Sequence, residues 1–332
     1  MRRIHVVGRA RCVSLWIRVR WVPIYKSLSI IGIVVFVEMT SKVDHKLPDG
    51  ISVLDNQGGG HMFNAKKGMV GIMMHNDGSL LKPVCPDATE PLEDDEIRFY
   101  ERISNADDPI DKELATLTPK YFGTQKVKVA DRDVLCMKME NFTYGFRHAC
   151  VLDLKMGRVT SIPTAPEEKR KHEASKYLGT RATVGFSVPG MTVYDITNAS
   201  AIQHGKPFGK ALDGQSVLDA FRTFLNAPCG SGVRPICDSL LAQLGRIDSW
   251  FSRQRRYKFF ASSILLTYDA AALLADAGRS EEQVLAAARP IARMIDFAHA
   301  WPADGEPDAN YQEGLRNVIR LVTEVRDALP TA

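Results

Sequence analysis

The sequence predicts an α+β protein of two lobes with a cleft between them. Three observations lead there. The first third of the 332-residue chain carries short apolar runs separated by turn residues. The remainder mixes strand-like runs with amphipathic helical spacing. Charged residues also interrupt apolar runs at three places, where burying them is costly without compensation. The composition, 45% hydrophobic and 25% charged, is that of a folded chain and excludes disorder, collagen and coiled coil.

Residues 1–38 stand apart. They hold seven basic residues and one acid, Glu38; without them 36 basic residues face 38 acids, a net charge of −2. The body is therefore not expected to bind nucleic acid. Leu28–Val37 is apolar for ten residues, about 15 Å as a helix against a hydrocarbon core of about 30 Å, so it is too short to span a membrane. An upstream extension ahead of Met39, a targeting or anchor segment, and a folded strand all remain open for this stretch. The six cysteines lack CxxC or CxH spacing, which argues against a zinc site or a disulfide framework and for reduced thiols in an intracellular protein.

Residues 39–58 read as a polar lead-in. Gly68–His75 and Ser79–Val84 flank Asn76-Asp77-Gly78, a hairpin signal. Glu90–Ser104 has the spacing of a helix with an acidic first turn. Val127–Met139 reads as a second hairpin broken at Asp131-Arg132-Asp133, and Val151–Lys155 as a strand. Thr164 and Glu167 have capping-box spacing with Pro166 in the first turn, predicting a helix over 165–177. Ile236–Phe251 is helical in pattern, Phe259–Tyr268 and Arg293–Phe297 are strand-like, and an amphipathic helix carrying Tyr311 to Val325 closes the chain.

The three interrupting clusters are the candidate chemistry. Asp153 and Lys155 in Asp153-Leu154-Lys155-Met156-Gly157 share one face of a strand, and Gly157 lets the backbone turn or approach a ligand. Asp296 ends the apolar run before Phe297-Ala298-His299, a position suited to a metal ligand or a loop cap. Lys82 is the single charge in Leu80–Val84. With Glu96 on the following helix, it forms the pair by which kinases hold nucleotide phosphates, although alone it reads as a snorkelling lysine.

In order along the chain come Gly60-His61-Met62, Asp77-Gly78 with Leu81-Lys82, Glu96-Ile97-Arg98-Phe99-Tyr100 and Thr118–Gly123. Cys150–Gly157, Gly190–Tyr194, Ser262-Ser263-Ile264-Leu265, Ile295–His299 and Asp308…Tyr311…Gly314-Leu315 follow. From about Gly60 to the end the chain thereby resembles the inositol polyphosphate kinases, whose signature is PxxxDxKxG with SSLL and IDF segments. Ala149 stands where the signature has proline and Ile264 where SSLL has leucine.

The resemblance implies a two-lobed fold between protein kinases and ATP-grasp enzymes, with an N-lobe over 39–140 and a C-lobe over 141–332 that includes inositol-phosphate-binding helices at about 165–225. It implies ATP and Mg²⁺ as cofactors. Ile72 and Leu80 would wall the adenine, and Glu140 and Phe142 would form the hinge. Lys82 would hold the phosphates, oriented by Glu96, and Asp153 would contact the ribose. Lys155 would reach the transferring phosphate, and Asp296 with Ser263 would bind the metal. On the substrate side, Lys169, His172, Glu173 and Lys176 fall on one helical face. Lys169, His172 and Lys176 would grip an inositol polyphosphate there, joined by Lys206, Lys210 and His299.

The IDFAH segment disfavours the trisphosphate 3-kinase branch. The N-lobe motifs point to the multikinase branch, with the hexakisphosphate kinases as alternative and a catalytically weak scaffold as the reading of another class. A monomer of nucleus and cytoplasm is expected.

Overall fold

The computed structural model describes residues 47–54, 58, 70–84, 93–130, 132–274 and 279–330. Residues 1–38, most of the 39–58 lead-in, Gly60-His61-Met62 and the first residues of the helix expected from Glu90 lie outside the described residues.

Turn chemistry organises the first sheet. Asp77 accepts hydrogen bonds from the Ser79 amide (2.9 Å) and hydroxyl (2.6 Å), and Gly78 takes φ +89°. This turn joins β2 (Met73–His75) to β3 (Leu80–Pro83), with β1 (Ile51–Val53) against β2. Helix α1 (Glu93–Ser104) follows, then α2 (Pro109–Thr116), whose N-cap Asp108 accepts the Ile110 amide at 2.9 Å. The long hairpin of β4 (Tyr121–Val129) and β5 (Arg132–Met139) completes an antiparallel sheet of order β1-β2-β3-β5-β4.

The rest of the chain builds β6 (Ala149–Met156), α3 (Glu167–Ala174), α4 (Leu178–Val184), β7 (Phe186–Asp195) and β8 (Ser200–His204). Then come α5 (Lys206–Ala211), α6 (Ser216–Phe224), α7 (Arg234–Arg253), β9 (Tyr257–Phe259) and β10 (Ser263–Asp269). The chain continues with α8 (Glu281–Ala288), β11 (Ile291–Ile295), β12 (Ala300–Pro302) and α9 (Ala309–Asp327). A second antiparallel sheet runs β11-β10-β6-β7-β8, and β9 pairs with β12.

One small core under the first sheet joins Met73, Leu81, Val127, Val134 and Cys136. A larger one joins Phe99, Tyr100 and Leu114 of α1 and α2 to Trp250, Phe259, Phe297 and Tyr311. Helix α1 thus carries Glu96 on an element rooted in the larger core, while Lys82 rides on the first sheet. Trp250 is fully buried and donates its indole N–H to the Ile110 carbonyl at 2.9 Å. Trp250→Ala should cost about 3–5 kcal/mol, read as a lowered urea midpoint. An unchanged midpoint would mean that α7 and α2 are not held together there.

Two expectations are corrected. The helix predicted over 165–177 spans only Glu167–Ala174, and its N-cap is Pro166, with no side-chain cap. A capping box needs its first residue directly before the helix, and Pro166 at φ −52°, ψ 146° occupies that place, leaving Thr164 too far back. At the other end Tyr177 takes the left-handed φ of 55°, which a continuous helix forbids, so Lys176 falls in the turn beyond α3. The run Phe259–Tyr268 is two strands, β9 and β10, divided where Ala261 adopts φ 56°.

Candidate active site

The site is assembled from β3, α1, β6 and the end of β11. Lys82 Nζ donates to both carboxylate oxygens of Glu96 at 2.9 Å and to Asp296 Oδ1 at 2.6 Å. Glu96 Oε1 also accepts the Phe297 amide at 3.1 Å, which ties α1 to the segment after β11. Asp296 reaches Lys82 because its own φ of 64° turns the chain out of the strand, a conformation that Asp tolerates better than most residues. Gly157, after Asp153 and Lys155, takes φ +91°; a Cβ there would lie 2.3 Å from Asn310 Nδ2, so the turn away from β6 admits only glycine.

The electrostatics follow from burial and pairing. Burial works against the Lys82 ammonium, but Asp296 and Glu96 outweigh it and push its pKa above the ordinary lysine range. Burial would raise Asp296, yet Lys82 holds it below the usual carboxylate value. Asp153 differs: burial and then the neighbouring Asp296 charge push its carboxyl up to about 6, against the pull of Lys155 and the Ser263 hydroxyl. Asp153 Oδ1 is buried without a hydrogen-bond partner.

These groups line one cavity of about 410 Å³. Of the residues predicted from sequence, it brings together Ile72, Leu80, Lys82, Glu96, Glu140, Phe142, Asp153, Lys155, Asp296 and His299. Sequence reasoning missed further apolar walls, among them Val70, Met139, Val151 and Leu265. Of these, Leu265 had a legible signal, since it lies two residues after Ser263 on one strand-like run; the structure adds that it pairs in register with Asp153. The Glu140 side chain does not face a ligand alone; Oε2 accepts the Lys120 amide at 3.1 Å and so pins the segment after β5.

Ser263, Lys169, His172, Lys176, Lys206 and Lys210 do not line that cavity. Ser263 is buried in β10 beside the site, in register with Lys155 on one side and Ile295 on the other. Lys169 and His172 are exposed on α3, and Lys206 and Lys210 are exposed on α5. Lys176 pairs with Glu173 at 2.6 Å. Burial opposes ionised Glu173, but Lys176, Arg181 and finally Lys155 hold its carboxyl below the usual range, so the end of α3 lies within electrostatic reach of Lys155. Arg181 is a further residue that sequence reasoning missed. It is buried on α4 and donates from Nη1 to the Glu173 carbonyl at 2.6 Å. Its signal, a lone charge in an otherwise uncharged segment, is the one that exposed Lys82. His299 also lines a second cavity of about 410 Å³ with Arg98, Arg102, Ile162 and Trp301.

Among the described residues no three His, Cys, Asp or Glu side chains form a metal cage. Asp296 on the cavity wall and the buried, unpartnered Ser263 hydroxyl beside it still fit a hard divalent ion of the magnesium type, which takes one or two carboxylates and completes its shell with phosphate oxygens and water.

A lysine on one sheet, a glutamate on the adjoining helix, a strand-terminal aspartate and an Asp-x-Lys pair around one cleft define the kinase class of phosphate-binding site. Comparison with known proteins narrows the class. The inositol polyphosphate kinase family matches residues 136–323. The Homo sapiens inositol polyphosphate multikinase is 33% identical over 227 residues, 67% of this chain and 52% of that protein. Inositol polyphosphate multikinase alpha of Arabidopsis thaliana is 29% identical over 83% of this chain and 96% of that protein. The solved structure of the S. cerevisiae inositol phosphate multikinase Ipk2 with ADP and Mn²⁺ is 21% identical, with a TM-score of 0.55, and covers 74% of this chain and 98% of that one. The chain belongs to the inositol polyphosphate kinase family. It spans about half the length of its mammalian multikinase relatives.

Proposed function

We propose that the protein transfers the γ-phosphate of ATP to a hydroxyl of an inositol tris- or tetrakisphosphate, as a multikinase. The observation that carries this reading is the Lys82–Glu96–Asp296 network facing Asp153 and Lys155 in one cleft, in a chain with several multikinases among its relatives. Phosphoryl transfer needs in-line positioning and neutralisation of charge more than covalent chemistry. Ile72, Leu80 and Phe142 would hold the base, with Asp153 on the ribose. Lys82, kept charged by its two carboxylates, would hold the phosphates, and Lys155, on the same strand face as Asp153, would follow the transferring group. A divalent cation would be held by Asp296, supported by Ser263; the structure of the yeast relative is a complex with ADP and Mn²⁺. When bound, such an ion, Mg²⁺ in this reading, would supply positive charge against that of the phosphates. His299, which lines both cavities, would face the acceptor.

The test is turnover by the full chain with ATP, Mg²⁺ and a panel of inositol phosphates. Phosphorylation of tris- and tetrakisphosphates supports the reading, and conversion of the hexakisphosphate alone would replace it with the pyrophosphate-forming branch. Lys169, His172, Lys176, Lys206 and Lys210 are proposed to flank the ring phosphates. Lys176→Ala should raise the inositol phosphate KM roughly tenfold, on the scale for a hydrogen bond to a charged group, and leave the KM for ATP unchanged. Lys171 is the control, because it pairs with Glu167 at 2.6 Å on an exposed part of the helix. Equal small effects at 171 and 176 would mean that this face is merely solvated.

A further inference from the structure

The end of α3 holds a carboxylate where an anionic substrate would be gripped. Glu173 Oε1 lies 2.6 Å from Lys176 Nζ, and the Glu173 carbonyl accepts Arg181 Nη1 at 2.6 Å and the Lys176 amide at 3.2 Å. Arg181 is buried, so this end of the helix is anchored rather than free to swing away. The Glu173 side chain is only 30% exposed, and the charge of Lys155, which lines the cleft, reaches it. Glu167 on the same helix is different: its carboxylate is 68% exposed and its partner is the outward Lys171. An acid paired with one lysine and within electrostatic reach of a second occupies the first and weakens the field of both. It accepts a hydrogen bond from a hydroxyl but repels a phosphate.

We propose that Glu173 is a specificity-determining residue that limits how many phosphates the acceptor ring can carry. It acts as an internal counter-ion on Lys176, which still meets one ring phosphate, and it admits a free hydroxyl beside its own carboxylate while disfavouring a further phosphate there. The proposal rests on the kinase reading above and adds a rule for choosing among the substrates of that site.

The experiment compares wild type, Glu173→Gln and Glu167→Gln with ATP, Mg²⁺ and inositol tris-, tetrakis- and pentakisphosphates, measuring each KM and the KM for ATP. Glutamine keeps the shape and the acceptor oxygen while removing the charge. Glu173→Gln should lower the KM for the most phosphorylated acceptor on the order of tenfold relative to the least phosphorylated, with the KM for ATP unchanged. Adding Lys176→Ala should cancel that gain, because the freed ammonium is what the extra phosphate meets. Glu167→Gln, which removes the same formal charge, should leave the ratio as in wild type. An unchanged ratio in Glu173→Gln, or the same change in Glu167→Gln, would overturn the proposal while leaving the kinase reading intact. A wild-type protein that phosphorylates none of the acceptors would overturn both.

Discussion

Asp296→Asn should remove most turnover, by about 10³-fold or more, the range reached when a charge that stabilises the transferring phosphate is deleted. The substitution suits this position. Residue 296 sits at φ 64°, where asparagine is tolerated and alanine would be strained, so the backbone should survive. Lys82 keeps a counter-ion in Glu96, 2.9 Å away, so the network loses one carboxylate without collapsing. The measurements are kcat at saturating substrates, the Mg²⁺ dependence of turnover, and thermal unfolding as a check on the fold. A folded variant with near-wild-type kcat would remove Asp296 from the proposed mechanism.

The second large effect is at Lys82. Lys82→Met should lower kcat/KM for ATP by about 100-fold or more, since the ammonium that meets the phosphates is gone. It should also destabilise the protein, because Glu96, whose side chain is 9% exposed, and Asp296 would then face each other without their shared cation. Losing one partner of a buried ion pair costs 3–5 kcal/mol; Lys82 and Asp296 are 27% and 38% exposed, so about 2–3 kcal/mol is expected here. The two effects separate in a double variant. Adding Glu96→Gln removes the orphaned charge and should recover most of the urea midpoint while leaving turnover low. Recovery of both would make the lysine a structural ion-pair partner and nothing more.

How much of this was legible beforehand depends on range. The hairpin at Asn76-Asp77-Gly78, helices α7 and α9, and the shared strand face of Asp153 and Lys155 could be read directly, because turn chemistry and apolar periodicity act over a few residues. Lys82 and Asp296 were singled out by the same local means, as charges at places where apolar runs make burial costly. The motif order then implied which cleft residues belong together, and ten of them line one cavity.

The substrate side was less legible. Periodicity counted Lys176 onto a helix that ends at Ala174, since a left-handed residue such as Tyr177 leaves no trace in an apolar pattern. Arg181 could be noticed as a lone charge, but its hold on the Glu173 carbonyl, eight residues back across a helix break, could not.

The sequence by itself therefore determined the elements, the candidate charges and the family they resemble, all of which rest on short-range pattern and motif order. Only the tertiary structure decided which charge meets which. Lys82 pairs with Asp296 across 214 residues because β5 of the first sheet, the second sheet and α1 share the larger core, and Arg181 reaches back to the Glu173 carbonyl because the chain breaks at Tyr177. Such pairings come from packing and from single backbone angles, which no local spacing encodes.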